Sequence, residues 1–143
     1  MRKTQTITID AEGRDKGKVF KLTEMPAAQA ERWAMRAFFA LMNTGVNIPD
    51  GLEEAGLAGL ASIGLQALGR VPYAQAEPLL AEMLDCVQII PDPAKPNVVR
   101  KLFDEDIEEV KTRLELRRAV WSLHTDFFSP AAPSNLTAKT SKS

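Results

Sequence analysis

The sequence predicts an α+β fold that is mainly α-helical, with an N-terminal β-hairpin, about four helices in a small bundle and a disordered C-terminal tail. Near the N-terminus, Ile7 and Ile9 alternate with polar neighbours at the two-residue period of a half-buried strand. Farther along, apolar residues recur at the spacing of amphipathic helices, and glycine- or proline-rich turns separate these stretches. We expect a single domain over residues 1–128.

The hairpin is expected over residues 4–22. Its strands flank the segment AEGRDKGK, which is rich in glycine and charge and is expected to form a solvated loop, with partner recognition as the alternative. A two-stranded hairpin is marginally stable alone, so it must pack on helices or pair with another strand.

Two helices are expected next, over residues 26–42 and 52–69. Pro26 suits the first helical position, and Trp33 and Phe38 share one apolar face of the first helix. The second helix carries four glycines, each of which costs about 0.5–1 kcal/mol of helix stability relative to alanine. Its charge-free run is shorter than the roughly 20 residues that span a bilayer. Such a helix needs close packing, either in the protein's own core or against a partner.

The third helix is expected over residues 73–87, with Pro78 as its start or as a kink. A proline-rich segment follows, and the apolar residues on either side of it are compatible with a second small hairpin. The fourth helix is expected over residues 105–127, with Asp104 as its N-cap. Residues 129–143 lack apolar anchors and are expected to be a disordered tail.

Composition and the scarcity of reactive side chains argue against catalysis. The 18 basic and 19 acidic residues leave a net charge of -1, which provides no general attraction to nucleic acid or to an anionic membrane. One cysteine and one histidine exclude an internal disulfide and a His/Cys metal site. Cys86, His124 and Asp126 contain the residue types of a nucleophilic triad, but a cysteine among apolar neighbours is typical of a core. We expect no enzyme activity, no metal and no cofactor.

The apolar pattern indicates instead a protein that binds other proteins. Met35, Met42 and Met83 are candidate flexible contacts, and the alternative for every candidate is that it closes the protein's own core. The candidate partner-binding residues lie in the glycine-rich helix and in the fourth helix: Leu57, Leu60, Leu68, Leu116, Val120, Leu123 and Phe127.

Three runs of the sequence resemble a known family: ITIDAEGRDKGKVFKLTEMPAAQAERWAMRA, AEMLDCVQIIPDP and VVRKLFDEDIEEVKTRLELRRAV. The family is that of the tail assembly chaperones of long-tailed bacteriophages, and the resemblance covers roughly residues 5–128. It implies a protein of the host cell cytoplasm that binds the tape measure protein, keeps it soluble and helps to recruit tail tube subunits. It also implies absence from the mature virion.

Two other functions stay open. One is an antagonist on the same scaffold that binds tail parts and blocks competing phages, and the other is a structural tail completion or connector protein. A chaperone predicts an exposed apolar groove and self-association when no client is present. A connector predicts a symmetric ring and presence in purified particles. No nucleic-acid or membrane partner is expected for any of them.

Overall fold

The computed structural model describes residues 1–45 and 69–125. The chain divides into two compact units, each described here by itself: residues 1–25 with 80–123, and residues 26–79 with 124–143. Most of the helix expected over residues 52–69 and the whole of the tail expected over 129–143 lie outside the described residues. The expectation of one domain over residues 1–128 stays a prediction.

The first unit contains a four-stranded antiparallel sheet whose strands lie side by side in chain order. Phe20 of the second strand is fully buried and lies opposite Ile7 on one side and Ile89 on the other, so the three residues share the core face of the sheet. The strands are β1 Thr4–Thr8, β2 Val19–Thr23, β3 Val87–Ile90 and β4 Arg100–Lys101.

The expected architecture of about four helices in a bundle is therefore wrong. The hairpin pairs along its second edge with β3, which gives the marginal two-stranded unit the additional strand that it needs. The helix expected over residues 73–87 ends at Leu84, because Val87, Ile89 and Ile90 join the sheet instead of continuing the helix. The proline-rich segment then connects β3 to β4, and the second hairpin is shorter than expected.

The second unit contains α1, Ala27–Met42, and the first part of α2, Tyr73–Leu84. Pro26 lies one residue before α1 as its N-cap, and its carbonyl accepts a hydrogen bond from Ala30 N at 2.9 Å. The face of α1 that carries Trp33 and Phe38 is buried, as its periodicity predicts. Pro78 lies inside α2, which continues through it.

The last helix of the first unit begins later than the sequence predicts. Asp104–Asp106 form a short 3-10 helix, Ile107 is extended (φ -121, ψ 118), and the α-helix α3 covers Val110–Thr125. Asp104 is therefore not the N-cap of α3, and the first turn of this helix must be capped by another group.

Candidate protein-binding groove

The structure places the predicted partner-binding residues in two situations. Leu57, Leu60, Leu68 and Phe127 lie outside the described residues. The remaining three are buried on the inner face of α3, so they do not form an open surface in this structure: Leu116, Val120 and Leu123. Their binding role stays a prediction, and the exposed apolar residues must be sought on other faces.

An open groove of about 470 Å³ runs along the second unit between α1 and α2. We call it the α1–α2 groove. Met35 and Phe39 are one turn apart on α1, and Pro78 faces them from α2. Phe39 keeps 48% of its surface exposed, a large fraction for an aromatic side chain. The other described residues along the groove are Arg36, Ala40, Asn43, Gln75 and Leu79.

A buried tryptophan holds the two walls of the groove together. Trp33 is 4% exposed, and its indole Nε1 donates a hydrogen bond to Leu79 O at 2.9 Å. The indole N–H of a buried tryptophan needs such a partner, and this bond also fixes α1 against α2. Phe38 and Phe39 contact each other edge to face, with ring centroids 6.3 Å apart. The two walls of the groove are therefore joined by a buried hydrogen bond, and Met35 contributes an unbranched side chain of a kind that adapts to its contacts.

The chemistry of the groove suits an apolar helical segment. Its side chains are mostly apolar or uncharged, and among the described residues only Arg36 is ionic. An amphipathic helix that docks in such a groove inserts apolar residues from successive turns. The sequence pattern identifies Met35 and Met42 as candidates but not Phe39. The pattern alone does not show whether a single aromatic residue beside a buried stripe is itself covered.

The second candidate region is the loop between β1 and β2, whose residues are mostly exposed, as expected for a solvated loop, with Asp15 as the exception. Asp15 is only 1% exposed. Its carboxylate accepts hydrogen bonds from Glu108 N at 2.9 and 3.1 Å, from Glu109 N at 2.9 Å and from Lys18 Nζ at 2.9 Å. We call this contact between the loop and the start of α3 the Asp15 clamp. It supplies the cap that Asp104 does not provide.

The protonation of Asp15 follows from these partners. Burial alone raises the pKa of the carboxyl, but the hydrogen bonds from the Glu108 backbone and the Lys18 ammonium outweigh burial and hold the pKa well below its ordinary value of 3.8. A carboxylate that stays ionised and has three hydrogen-bonding partners is poorly suited to acid–base catalysis. The clamp therefore serves as a structural cap.

A reciprocal contact joins the same loop and helix. Arg14 N donates to Glu109 Oε2 at 3.0 Å, and Arg14 Nη2 donates to Glu108 O at 2.8 Å. The hydrogen bond from the Arg14 backbone lowers the pKa of Glu109. Gly13 has φ +144, and a Cβ at this position would lie 2.7 Å from Glu109 Oε2. A glycine therefore allows both the backbone angle and the close approach.

Cys86 lies in surroundings that disfavour the reactive thiolate. It is buried, its Sγ lies 3.9 Å from Glu82 O, and burial raises the pKa of its thiol to about 11. A thiol with this pKa is protonated at neutral pH and reacts slowly. Asp126, the third member of the triad considered from the sequence, lies outside the described residues.

Residues 1–45 and 69–125 contain no group of three or more histidine, cysteine, aspartate or glutamate side chains arranged to hold a metal ion. Within the same ranges, no helix has the length and apolar character needed to cross a membrane. Comparisons of the chain with known protein families, curated proteins and solved structures find no match.

Proposed function

We propose that this protein is a tail assembly chaperone of a long-tailed bacteriophage, which binds an apolar helical segment of the tape measure protein in the α1–α2 groove. It acts in the host cell cytoplasm, helps to recruit tail tube subunits, and is released before the virion is complete. The observation that carries the proposal is the open groove with Phe39 exposed in its wall.

The groove supports this function because a tape measure protein is long and helical and exposes apolar stripes until the tube surrounds it. A chaperone for such a client needs an apolar surface that many similar helical segments fit. Met35 provides an adaptable contact, and Phe39 provides a large apolar one. Binding must also be reversible, which favours a groove of modest size over an extensive interface.

Co-expression with the tape measure protein from the same genome tests the proposal. We expect the wild-type chain to raise the soluble yield of the tape measure protein and to co-purify with it. Phe39→Asp is expected to abolish both effects, because burying an unpaired carboxylate at the interface is costly. Leu114→Asp is the matched control, because Leu114 on α3 is similarly exposed at 52% but does not line the groove.

Circular dichroism melts establish that each variant is folded. Should Phe39→Asp fold poorly, Ala40→Gln takes its place, since it fills the groove without introducing a charge. The proposal is wrong if the tape measure protein stays insoluble with the wild-type chain, or if the groove variants support it as well as the wild type does. Mass spectrometry of purified virions adds a second test, because a tail completion or connector protein would be found in the particles.

A further inference from the structure

The outer edge of β1 has no strand paired to it among residues 1–45 and 69–125. On the inner edge, Lys3 O accepts a hydrogen bond from Glu24 N at 3.0 Å, and Ile9 N donates to Lys18 O at 2.9 Å. Successive residues of a strand direct their backbone N–H and C=O groups to opposite edges. Residues 3, 5, 7 and 9 therefore face β2, while the backbone groups of Thr4, Thr6 and Thr8 point away from the sheet.

This edge lacks the features that normally prevent strand pairing. The strand TQTIT contains no charge and no proline, and all of its residues except Ile7 are exposed. Proteins usually protect an open edge with lysine, proline, a bulge or a covering element. Three of its five residues are threonine, which favours extended structure. The edge is therefore ready to accept a further strand.

The opposite edge of the sheet is different. Its strand β4 has only two residues, Arg100 and Lys101, and both are basic. A very short strand with like charges disfavours pairing with a copy of itself. Of the two edges of the sheet in the described part of the chain, β1 is the one suited to pairing, so pairing between two β1 strands gives a closed two-fold dimer and not a growing sheet.

We propose that β1 pairs antiparallel with β1 of a second copy of this chain, about a two-fold axis at Thr6. In this register Thr6 lies opposite Thr6 of the second copy, and Thr4 lies opposite Thr8. All outward N–H and C=O groups of the three threonines then form hydrogen bonds between the strands. Two four-stranded sheets become one continuous sheet of eight strands.

The charges beside the strand determine the choice of partner and register. The same register places Arg2, exposed before the strand, opposite Asp10, exposed after it, and the two-fold axis repeats this pair. A shift of two residues in either direction separates both pairs. An extended segment of another protein would find the same backbone groups, but only a second copy of this chain brings these two complementary pairs.

Sedimentation velocity of the full chain over a range of about 1–500 μM tests this interface. The wild type is expected to pass from monomer to dimer within the range. Arg2→Asp and Asp10→Arg each place like charges opposite one another twice, and each is expected to raise the dissociation constant about tenfold or more. The double variant restores opposite charges and is expected to return to the wild-type dissociation constant.

A second pair of variants tests the backbone contact itself. Thr6→Pro removes an N–H that points to solvent in the monomer, so the fold is retained while pairing is blocked. Thr6→Val keeps the N–H and the preference for extended structure, and it is expected to dimerise like the wild type. Circular dichroism melts of the monomers verify the fold. A chain that stays monomeric at every concentration, a double charge variant without recovery, or a Thr6→Pro variant that still dimerises would each overturn the proposal.

Discussion

The Asp15 clamp of the first unit is charged but buried at its centre, whereas the α1–α2 groove of the second unit is apolar but partly exposed. The clamp belongs to a loop rich in charge, yet its central carboxylate is buried and hydrogen-bonded to two backbone N–H groups and to Lys18. The groove belongs to an amphipathic helix, yet Phe39 remains exposed beside a buried face. The charged region thus makes hydrogen bonds within the fold, while part of the apolar region stays exposed.

We therefore expect changes in the clamp to affect stability and changes in the groove to affect recognition. Changes in the clamp remove hydrogen bonds made within the protein, so they lower the free energy of unfolding. Changes at the exposed positions of the groove remove few internal contacts, so they leave that free energy nearly unchanged while they affect a partner.

The largest effect is expected from Asp15→Ala. It leaves Glu108 N and Glu109 N without their acceptor and removes the closer of the two carboxylates beside Lys18, since Glu108 Oε2 remains at 3.5 Å. The variant is expected to lower the free energy of unfolding by about 3 kcal/mol. This expected loss lies at the lower end of the range for removing one partner of a buried ion pair, because the Lys18 side chain is 27% exposed. Urea denaturation followed by circular dichroism measures it.

Asp104→Ala is the control for this prediction. The sequence pattern places the helix cap at Asp104, whereas the structure places it at Asp15, so the two variants distinguish the two interpretations directly. The Asp104 variant is expected to change stability by no more than about 0.5 kcal/mol. A larger loss for Asp104→Ala than for Asp15→Ala would contradict the assignment of the cap.

Acid is expected to reduce the contribution of Asp15. Its pKa in the folded protein lies below the ordinary value of 3.8, so its stabilisation is complete above pH 3.8 and is lost as the pH falls towards the pKa in the folded state. The difference in the free energy of unfolding between wild type and Asp15→Asn should therefore be constant near neutral pH and shrink below pH 3.8. Urea denaturation at a series of pH values measures this difference. A difference that stays constant or grows in acid would contradict the ionised clamp.

A smaller effect is expected from Gly13→Ala. Alanine is strained at the positive φ of this position, and its Cβ would lie 2.7 Å from Glu109 Oε2, so the Glu109 side chain must shift and its hydrogen bond with Arg14 N is disturbed. Gly17→Ala is the matched control, because Gly17 also has a positive φ (+89) but has open space around it. We expect Gly13→Ala to destabilise the protein by about 1 kcal/mol more than Gly17→Ala in thermal or urea denaturation. Equal losses would mean that Glu109 moves away at no cost.

Local patterns in the sequence predict part of the fold. The alternation at Ile7 and Ile9 corresponds to β1 and the residue that follows it, and the periodicity around Trp33 and Phe38 corresponds to the buried face of α1. The strand β3 is harder to predict, because a short apolar run such as Val87–Ile90 fits the end of a helix equally well. Pairing with β2 decides between them, and that partner is distant in sequence.

The parts of the site that the sequence does not predict depend on long-range contacts. Asp15 accepts hydrogen bonds at the start of a helix 93 residues away in sequence, and no local pattern predicts such a pair. Asp104, in contrast, occupies the position that a local pattern predicts for the cap. Periodicity identifies Leu116 and Val120 as an apolar stripe, but it cannot decide whether the protein or a partner covers them. In the structure they are covered by the protein itself.

The most direct test of this account measures stability and client binding on the same two variants. For Asp15→Ala and Phe39→Asp, the melting temperature is determined by circular dichroism, and the affinity for the tape measure protein is determined by pull-down at a temperature where both variants are folded. We predict that Asp15→Ala melts several degrees lower and still binds, whereas Phe39→Asp melts close to the wild type and does not bind. Loss of binding by Asp15→Ala together with normal binding by Phe39→Asp would contradict the account.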